Sequence, residues 1–517
     1  MQLKILTITS LSITVEINND APFYVPEPYL VYLNGVQVLE NGKRNVFSLY
    51  ELKPASIYEL EVRTETETQK LEFQTLDLSY VLNVRNFKAY GDGVHDDTLA
   101  VQTAIMACPE HGIVYFPTGV YLVKSLFLKS DINIYLKKEA TLLASAMRDD
   151  YAILPGTIRN KNDELILGTW EGNPLPIYTS LITGINVQNI MFFGEGTLDG
   201  NAQNGPWWIN PKKKVLAYRP RGIFLNNCRN ICFQGLTVQN TASWAIHPFY
   251  SENLEFYDLK IKNPAHVGNT DGLNPESCEN VKIIGVHFSV GDDCIAIKSG
   301  KIYMAKNHRR PTKDLEIRNC LMEDGHGAIV LGSEISGGAS DIRISQCIFS
   351  RTDRGLRIKT RRGRGKQIIT DITFKNILMQ GVKNAFVINM FYFCDPDGKS
   401  EYVRSKEALP VDERTPILGK FSFQDITCLD TKISAGFFYG LPEAPIGELC
   451  FERIKVTYDA ENESGKPAMM SYIKDYSKLG FYFNNVQKVC LNNVYIRGQK
   501  GEAFQFESVE EVIENSK

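Results

Sequence analysis

The chain has 517 residues, of which 43% are apolar and 23% charged, and its formal net charge at pH 7 is −3. Such closely balanced charge argues against nucleic acid as the main partner, since phosphate binding normally requires a basic surplus. No window approaches the roughly 20 apolar residues that span a bilayer, so we expect no membrane segment. The length exceeds what one hydrophobic core usually supports, which predicts either two domains or an elongated repeat.

The N-terminus, MQLKILTITSLSITVEINND, alternates apolar and polar residues. Thr and Ser interrupt its apolar run and no small-residue cleavage site follows, so we interpret it as β-strands and not as a signal peptide. The eleven cysteines are scattered and include no CxxC pair. An odd set of thiols fits a reducing compartment better than a disulfide framework, and we expect a cytoplasmic protein.

Residues 1–78 are predicted to form a small β-sandwich domain. Short alternating runs are separated by Asn34-Gly35 and Asn41-Gly42, and Asn-Gly between such runs is a strong hairpin signal. The segment LKPASIYELEV resembles the fibronectin type III pattern, in which a tyrosine, here Tyr58, packs in a corner before a strand. Any other small β-sandwich is the alternative.

One helix is predicted next, within GDGVHDDTLAVQTAIMAC. Asp96 or Asp97 is expected to cap it, and it should cover Thr98–Cys108. Its expected apolar contacts are Leu99, Ala104 and Ile105.

From residue 189 onward one short pattern recurs: a polar residue, an aliphatic residue, and then alternating apolar positions. The clearest copies begin at Asn189, Asn230, Asn253, Asn280, Asp314, Asp341, Asp371 and Asp425. Self-similarity at such spacings indicates a solenoid, and units of short strands with almost no helix predict a right-handed parallel β-helix over residues 79–517. We find no signature of leucine-rich or propeller repeats. The helix near residue 98 would then cover the open end of the solenoid.

Three aspartates lie about one coil of this solenoid apart. Asp271 stands in NTDG, and Asp292 and Asp293 stand in GDDC, 21 and 22 residues later. His326 follows Asp293 by 33 residues, and Arg357 follows His326 by 31. Residues one coil apart in a parallel β-helix lie about 4.8 Å from each other along the axis. We therefore expect these motifs to stack on one side and to place the carboxylates side by side.

Crowded carboxylates cannot all ionise cheaply, so at least one of the three pKa values is expected to rise. One acid then holds a proton at neutral pH while its neighbours stay anionic, which is the pairing of acid and base that glycoside hydrolysis requires. A metal site, or an acidic ladder solvated by water, is the alternative for the three acids alone.

Basic residues follow the acids along the chain. In GLRIKT, Arg357 and Lys359 share one face of a strand while Ile358 points into the core. Two cations beside the acids suit a substrate that itself carries carboxylates. The next basic residues, expected to extend this charge, are Arg361, Arg362, Arg364 and Lys366. Taken alone, RRGRGK would also fit an RNA-binding loop or a solvated surface run.

The segment DDCIAIK departs from simple alternation. Ile295 and Ile297 should face the core, and by parity Asp293 would then face inward too, where a charge is expensive. We therefore predict a turn of the backbone at residues 291–293 that lets both acids reach the cleft.

NTDG, GDD, GHG and RIK occur in this order at residues 269–272, 291–293, 325–327 and 357–359. Together they resemble glycoside hydrolase family 28, the polygalacturonases, over roughly residues 80–500. The resemblance implies an inverting hydrolase of α-1,4 bonds between galacturonic acids, with no metal or organic cofactor. It further implies that Asp292 donates a proton to the leaving oxygen, that Asp271 and Asp293 activate water, and that His326 supports the acid.

The resemblance also implies a set of substrate-binding residues. Arg357 and Lys359 would bind the substrate carboxylate at the cleavage point, where charge-assisted pairing is strong. The other candidates, for each of which a structural role is equally plausible, are Asn269, His247, Arg219, Arg221, Glu334 and Arg354.

The segments GSEISGG and TDRGLRIKTRRGRG look like the exo-acting branch of the family, which is often preceded by a fibronectin-like module. Exo action requires a blocked cleft end. We expect insertions at residues 147–180, with Trp170 and Tyr178, and at residues 395–416 to supply the wall. Two further tryptophans that either stack on sugar or pack in the core are Trp207 and Trp208.

Three other functions compete with this one. A calcium-dependent pectate lyase would share the fold and the anionic substrate, with the three acids as calcium ligands. A non-catalytic adhesin or tailspike-like β-helix would use the fold without the chemistry. Within the family, rhamnogalacturonan or xylogalacturonan could replace galacturonan. The sequence leaves the oligomeric state open.

Overall fold

The structure is a computed structural model and describes residues 2–78, 80–161, 163–211 and 213–515. Strands dominate it, and short antiparallel sheets precede one large parallel sheet. Within that part of the chain, no helix combines the length and the apolar character needed to cross a bilayer.

Two antiparallel sheets form the N-terminal part, and they confirm the predicted small β-sandwich. The strands are β1 (Gln2–Ile8), β2 (Ile13–Asn18), β3 (Tyr24–Leu33), β4 (Val36–Arg44), β5 (Val46–Leu49), β6 (Ile57–Arg63) and β7 (Thr68–Gln74). One sheet has the order β1-β2-β5 and the other β4-β3-β6-β7. Val15, Val31 and Leu60 are fully buried in their shared core. The Tyr58 hydroxyl accepts a hydrogen bond from the Lys53 amide (2.8 Å), and the fibronectin-type assignment itself stays a prediction.

The two Asn-Gly pairs have different fates. Asn34-Gly35 joins β3 to β4, as predicted. Asn41-Gly42 was wrongly predicted as a turn, because it lies inside β4, where the pairing with β3 shifts register. Asn41 has a φ of 55°, and a side chain at Gly42 would collide with the ring of Tyr29. The pair therefore lets β4 pass over a buried aromatic ring without ending the strand.

The rest of the chain winds into a parallel β-helix with three faces, which confirms the predicted fold class. The first face consists of Val81–Asn83, Ile113–Phe116, Ile132–Leu136, Gln188–Gly194, Arg229–Gln234, Glu252–Tyr257, Glu279–Ile284, Thr312–Arg318, Ala339–Ser350, Ile372–Gln380, Lys420–Thr431, Ile446–Tyr458, Leu479–Arg497 and Phe504–Asn515. The second face consists of Asp92–Asp96, Gly119–Val123, Ala140–Ala144, Thr197–Asp199, Thr237–Gln239, Lys260–Lys262, His287–Ser289 and Leu321–Glu323, and it then merges into the long strands of the first.

The third face carries the candidate site. It consists of Leu126–Phe127, Ile182–Ile185, Ile223–Asn226, Ile246–Phe249, Asp293–Ile297, Gly327–Gly332, Arg354–Lys359, Asn384–Asn389 and Ser434–Tyr439. Short strands outside the three faces are Ile153–Leu154, Thr157–Arg159, Glu164–Ile166 and Ile177–Tyr178, whereas Ile368–Ile369 and Ile417–Leu418 extend the first face beside Ala339–Ser350. The 3-10 turns are Val84–Phe87, Arg148–Asp150, Ala202–Asn204 and Pro206–Trp208.

The recurring polar residue of the sequence marks the turn into the first face. All eight predicted copies have a φ between 54° and 56°, a left-handed conformation that Asn and Asp tolerate better than other residues with a side chain. Side-chain amides of successive coils also form a ladder, in which Asn230 donates to Asn189 (2.8 Å) and Asn253 to Asn230 (2.9 Å). The repeat is therefore set by backbone geometry at one turn.

Aromatic and aliphatic side chains stack along the interior, one coil above another. Phe192, Phe233 and Phe256 lie in consecutive coils with ring centroids 4.6 and 5.6 Å apart. The offset stacking of such rings adds to the burial of apolar area and holds the coils in register.

In the described ranges, three α-helices accompany the strands. They are α1 (Thr98–Ala107), α2 (Ile302–Asn307) and α3 (Glu401–Arg404). Helix α1 confirms the predicted cap: Ala104 and Ile105 are buried in the core of the β-helix, and Asp96 accepts a hydrogen bond from the Thr98 amide (2.9 Å). The expected contact of Leu99 was wrong, because this side chain is 80% exposed on the outer side of α1.

The β-sandwich packs against the first face of the β-helix through buried polar contacts. Glu16 on β2 accepts two hydrogen bonds from the guanidinium of Arg318 (2.6 and 2.7 Å) and one from Asn319 (2.7 Å). Asp258, in an earlier coil, accepts from Arg44 (2.6 Å). Glu16 and Arg318 are 3% and 9% exposed, so both charges have lost most of their hydration. Their mutual pairing compensates for this loss.

We predict that Glu16→Ala lowers the free energy of unfolding by about 3 kcal/mol, because it leaves the buried Arg318 guanidinium without its main partner. Thermal unfolding followed by circular dichroism measures the change. Glu59→Ala removes a solvent-exposed ion pair with Lys70 and should change stability little. Equal effects of the two substitutions would contradict this account of the interface.

Candidate active site

Four motifs of the sequence lie on consecutive coils of the third face. Leu273 pairs with Ile295, Ile295 with Ile329, and Ile329 with Leu356. Each of these residues is fully buried, and each lies within two positions of a motif residue. The ladder therefore carries the predicted site residues up one side of the helix.

The carboxylates of Asp271, Asp292 and Asp293 come together at the start of these strands. Each offers an oxygen that lies within 4.8 Å of the other two. Asp271 and Asp293 are 3% and 1% exposed, whereas the side chain of Asp292 retains 19% of its surface. The cluster is thus reached from solvent mainly at Asp292.

The backbone bends at Gly291 and Asp292, within the predicted turn, and the side-chain alternation shifts just after it. Cys294 and Ile295 both lie in the core, so the alternation breaks between them, and Ile297 follows inward. Asp293 is the first residue of its strand and remains on the cleft side. Both acids therefore reach the site without a charge in the apolar core.

Asp292 is held by donors from two neighbouring coils. Its Oδ2 accepts from the amide of Asn269 (2.8 Å), and its Oδ1 accepts from the amide of Asp293 (2.9 Å). The Nδ1 atom of His326, in the next coil, lies 3.3 Å from Oδ1. These contacts fix the orientation of the carboxylate towards the open side.

Asp293 is paired with the basic residues of the RIK motif. Lys359 donates to its Oδ2 (2.8 Å), and a guanidinium nitrogen of Arg357 lies 3.5 Å from its Oδ1. Arg357 and Lys359 are 6% and 8% exposed. The predicted juxtaposition of cations and acids is therefore present, and both cations already interact with the carboxylate of Asp293.

Lys298 is a member of the site that sequence analysis missed. Its ammonium lies 3.9 Å from Asp271 and donates to Glu334 at 2.8 Å. Burial would lower the pKa of Lys298, but Glu334 and Asp271 together raise it above its usual range. The signal was present in DDCIAIK, because Lys298 shares the outward parity of Ala296.

The pKa values of Asp271 and Asp292 shift in opposite directions. Burial, reinforced by the charge of Asp292, raises the pKa of Asp271 well above its ordinary value. Burial would also raise the pKa of Asp292, but the hydrogen bond and charge of His326 lower it below its usual range. The same contact raises the pKa of His326. In the ligand-free protein these opposite shifts favour a proton on Asp271 over one on Asp292.

Arg219 supports the NTDG turn. It donates to the side chain of Asn269 (2.7 Å) and to the carbonyl of Ala242 (2.7 Å). Only 4% of Arg219 is exposed, and Asn269 adopts a φ of 59°. The pair fixes the backbone amide that donates to Asp292.

Arg221 and His247, which the sequence offered as substrate-binding candidates, are buried beneath the cleft and already engaged by other side chains. The Arg221 guanidinium lies 4.5 and 4.3 Å from the ring centroids of Trp170 and Trp244, and 2% of the residue is exposed. His247 is fully buried and pairs with Glu276 (2.9 Å). Arg221 also donates to the carbonyl of Thr169 in the first insertion (3.0 Å), and both side chains support the floor of the site.

Glu334 and Arg354 flank the cluster at two other points. Glu334 is 6% exposed, and although burial would raise its pKa, Lys298 and Lys301 lower it. Burial, with the nearby charge of Arg357, lowers the pKa of Arg354 to about 10. The Arg354 side chain retains 14% of its surface and can still meet a ligand.

The basic run after RIK does not extend the positive surface, contrary to expectation. Arg361 and Arg364 both pair with Asp395, and Arg362 pairs with Glu443. All three arginines are at most 4% exposed, and of the run only Lys366 is exposed. These arginines instead anchor the second insertion, because their hydrogen bonds are satisfied by its acids and carbonyls.

The tryptophans proposed to stack on sugar are mostly committed to packing. Trp207 is 1% exposed and packs edge-on against Tyr151 and Tyr178. Trp208 donates its indole N–H to the carbonyl of Thr241 (3.1 Å). The core-packing alternative therefore holds for Trp207.

Three clustered carboxylates are also a plausible ligand set for a hard divalent cation, since such ions prefer oxygen donors. Here the positive charge next to the acids comes from the chain itself, through Lys298, Lys359 and Arg357. An ion at the cluster would meet the repulsion of these groups. The donor set fits an acid–base centre better than a cation site.

Comparison with known proteins agrees with this geometry. The family model of Glycosyl hydrolases family 28 matches residues 131–404, just over half of the chain. The chain belongs to this family. A second model, Rhamnogalacturonase A/epimerase, pectate lyase-like, matches residues 81–142 at the start of the β-helix.

Individual relatives of this family 28 member extend the likeness. A probable polygalacturonase from Vitis vinifera is 30% identical over 398 residues, covering 75% of this chain and 77% of its own. An exo-poly-alpha-D-galacturonosidase from Dickeya chrysanthemi is 26% identical over 416 residues, covering 71% and 67%. The family 28 exopolygalacturonase of Yersinia enterocolitica superposes with a TM-score of 0.74 at 20% identity over 99% and 98% of the two chains, which shows that the fold is shared along the whole length.

The raised pKa of Asp271 predicts a trade between stability and function. A buried carboxyl with a raised pKa stabilises the fold below its unfolded pKa of about 3.9, and this contribution is lost as the pH rises through the folded value. Asp271→Asn should therefore raise the melting temperature at pH 7 by about 3 °C while removing activity. The gain should shrink as the pH is lowered towards 4, and a gain that grows on acidification would contradict the assignment of the proton to Asp271.

Proposed function

We propose that the protein hydrolyses α-1,4 bonds between galacturonic acid residues and acts from the non-reducing end of the chain. The observation that carries the proposal is the cluster of three carboxylates on consecutive coils, faced by Arg357 and Lys359. The acids transfer protons, and the two cations bind the carboxylate that every galacturonate residue carries. Family membership and the polygalacturonases among its relatives support this chemistry.

In the proposed reaction Asp292 gives its proton to the glycosidic oxygen as the bond from that oxygen to the anomeric carbon breaks. A water adds to the anomeric carbon and passes a proton to Asp293 or Asp271. Asp292 is the natural donor because, among the three acids, it has the most exposed side chain. The products are two sugars that together contain the elements of one water.

Asp292 must carry a proton before the bond breaks, whereas in the ligand-free protein the opposite pKa shifts of Asp271 and Asp292 favour the proton on Asp271. Lys359 is one of the groups that lower the pKa of Asp292. A substrate carboxylate that pairs with Lys359 and Arg357 neutralises this effect and raises the pKa of Asp292. The two neighbouring acids share one proton, so substrate binding itself moves it towards the leaving oxygen.

The stereochemical course is a sharp test of this scheme. A carboxylate pair as close as this one is typical of retaining enzymes, whereas inverting pairs are usually about 6.5 to 9.5 Å apart. The third carboxylate permits inversion at the shorter distance, because two acids together hold the water beside the proton donor. We therefore propose inversion.

The exo mode is supported by the placement of the first insertion. The carbonyl of Gly172 accepts a hydrogen bond from the amide of Lys301 (2.9 Å), and Trp170 stacks on Tyr218 with centroids 4.8 Å apart. The described part of residues 147–180 thus forms a wall at the side of the cluster. A wall at this place limits how far a polysaccharide chain extends through the cleft.

Product analysis on saturated oligogalacturonides tests the reaction, the stereochemistry and the mode together. We expect short galacturonate products released from the non-reducing end, with inversion of the anomeric centre seen by proton NMR, and undiminished activity in the presence of a chelator. Unsaturated products, or loss of activity on chelation, would establish a lyase instead. Cleavage confined to rhamnogalacturonan or xylogalacturonan would show that one of these polysaccharides, and not galacturonan, is the substrate.

Asp292→Asn is expected to lower kcat by about 1,000-fold or more, because it removes the proton donor and keeps the shape of the side chain. Steady-state kinetics on the same oligosaccharides measure the loss. Asp324→Asn replaces a partly exposed carboxylate of the next coil and should retain activity. A non-catalytic carbohydrate-binding β-helix would show no difference between the two variants.

A further inference from the structure

The tip of the first insertion is a tight turn held in an unusual backbone conformation. Trp170 and Asn173 exchange two backbone hydrogen bonds (2.9 and 3.1 Å), and between them Glu171 and Gly172 have φ values of 45° and 72°. A left-handed conformation costs a residue with a side chain about 1 kcal/mol. The turn therefore presents the Glu171 side chain in a defined direction at some cost.

The turn packs against residues that belong to the surroundings of the three acids. A side chain added at Gly172 would lie 2.8 Å from the Cβ of Glu334, the partner of Lys298. On the other side of the turn, the Trp170 ring lies 5.6 Å from the guanidinium of Arg219. The turn thus spans the space between Lys298 and Arg219, which contact Asp271 and the NTDG turn respectively.

The carboxyl of Glu171 has no partner in this space. Among the residues that the structure describes, it makes no hydrogen bond or ion pair, whereas Asp293 and Glu334 are each paired with a lysine. Glu171 is only partly exposed. An unpaired, partly desolvated carboxyl in a cleft costs free energy unless a ligand satisfies it.

The charge of this carboxyl acts on the same arginine as the charges of two of the clustered acids. Burial lowers the pKa of Arg219 to about 10, and the charges of Asp271, Glu171 and Asp292 all oppose that lowering. Burial, followed by the charge of Glu334, raises the pKa of Glu171 itself. A carboxyl that is readily protonated both donates to and accepts from a hydroxyl group, whereas an anionic carboxyl repels the carboxylates of the substrate.

We propose that Glu171 is a specificity-determining residue that binds the free 4-hydroxyl of the terminal sugar, and that its turn excludes a chain extending beyond that hydroxyl. This inference rests on the proposed function. In an α-1,4-linked chain only the non-reducing end carries a free 4-hydroxyl, so a group that binds it selects chain ends. The contacts of the turn with Glu334 and Lys301 fix the distance between the bound chain end and the catalytic acids.

The test compares two oligogalacturonides of equal length and equal charge. One is saturated, and the other has a 4,5-unsaturated terminal residue, which lacks the 4-hydroxyl and is made by lyase digestion. Both contain the same interior bonds. The kcat/KM of each is measured by chromatography of the released sugars, for the wild-type protein and for variants at Glu171.

We expect the wild-type protein to prefer the saturated substrate by about 100-fold or more, since a site built around a hydroxyl group discriminates strongly against its absence. Glu171→Ala should lower kcat/KM for the saturated substrate by about 100-fold and change that for the unsaturated one less than about twofold. Glu171→Gln should keep most of the preference, because an amide also donates and accepts. Asp163→Ala, an exposed acid of the same insertion, should behave as the wild type.

The outcomes separate the two proposals. A wild-type protein that cleaves neither substrate contradicts the proposed function. A wild-type protein that cleaves the saturated substrate without preference, or a Glu171→Ala variant that loses both activities by the same factor, overturns the role of Glu171 alone. Folding of each variant is checked by circular dichroism, and the Gln variant provides the decision if the Ala variant does not fold.

Discussion

The in-register stacking of coils is the constraint on which this structure depends. Leu273, Ile295, Ile329 and Leu356 pair in sequence along the third face, so four segments separated by dozens of residues share one column. Main-chain hydrogen bonds and buried aliphatic contacts hold this column, and the charged groups of the site take no part in it. The scaffold therefore forces three carboxylates together although their mutual repulsion opposes it.

The chain compensates for that repulsion with its own cations. Lys359 and Arg357 face Asp293, Lys298 lies between Asp271 and Glu334, and His326 contacts Asp292. Asp271 and Asp292 are thereby placed in different electrostatic fields, which is why their pKa values shift in opposite directions. A substrate that carries carboxylates enters this balance directly, because it competes for the same cations and so redistributes the proton among the acids.

Much of this arrangement follows from sequence patterns with a local physical cause. The polar residue with positive φ that opens each coil, the apolar alternation and the coil-length spacing of NTDG, GDD, GHG and RIK were sufficient to predict the fold and the cluster.

The predictions that failed depended on partners distant in sequence. In the sequence, the arginines at 361, 362 and 364 look like a basic surface. In the fold they pair with Asp395 and Glu443, which lie in later segments of the chain. Arg221 looks like a substrate-binding residue until Trp170 of the insertion packs on it, and so does His247 until it pairs with Glu276. Glu171 carried no signal, since TWEGNP is an ordinary turn whose position only the folded chain reveals.

The central claim is that one column of coils gathers acids for proton transfer and cations for a substrate carboxylate. A crystal structure of the Asp292→Asn variant with a bound saturated oligogalacturonide tests it most directly. The account predicts a glycosidic oxygen within hydrogen-bond distance of residue 292 and a substrate carboxylate paired with Arg357 and Lys359. An oligosaccharide bound on another face, or a divalent ion seated among the three acids with the sugar as its ligand, would contradict it.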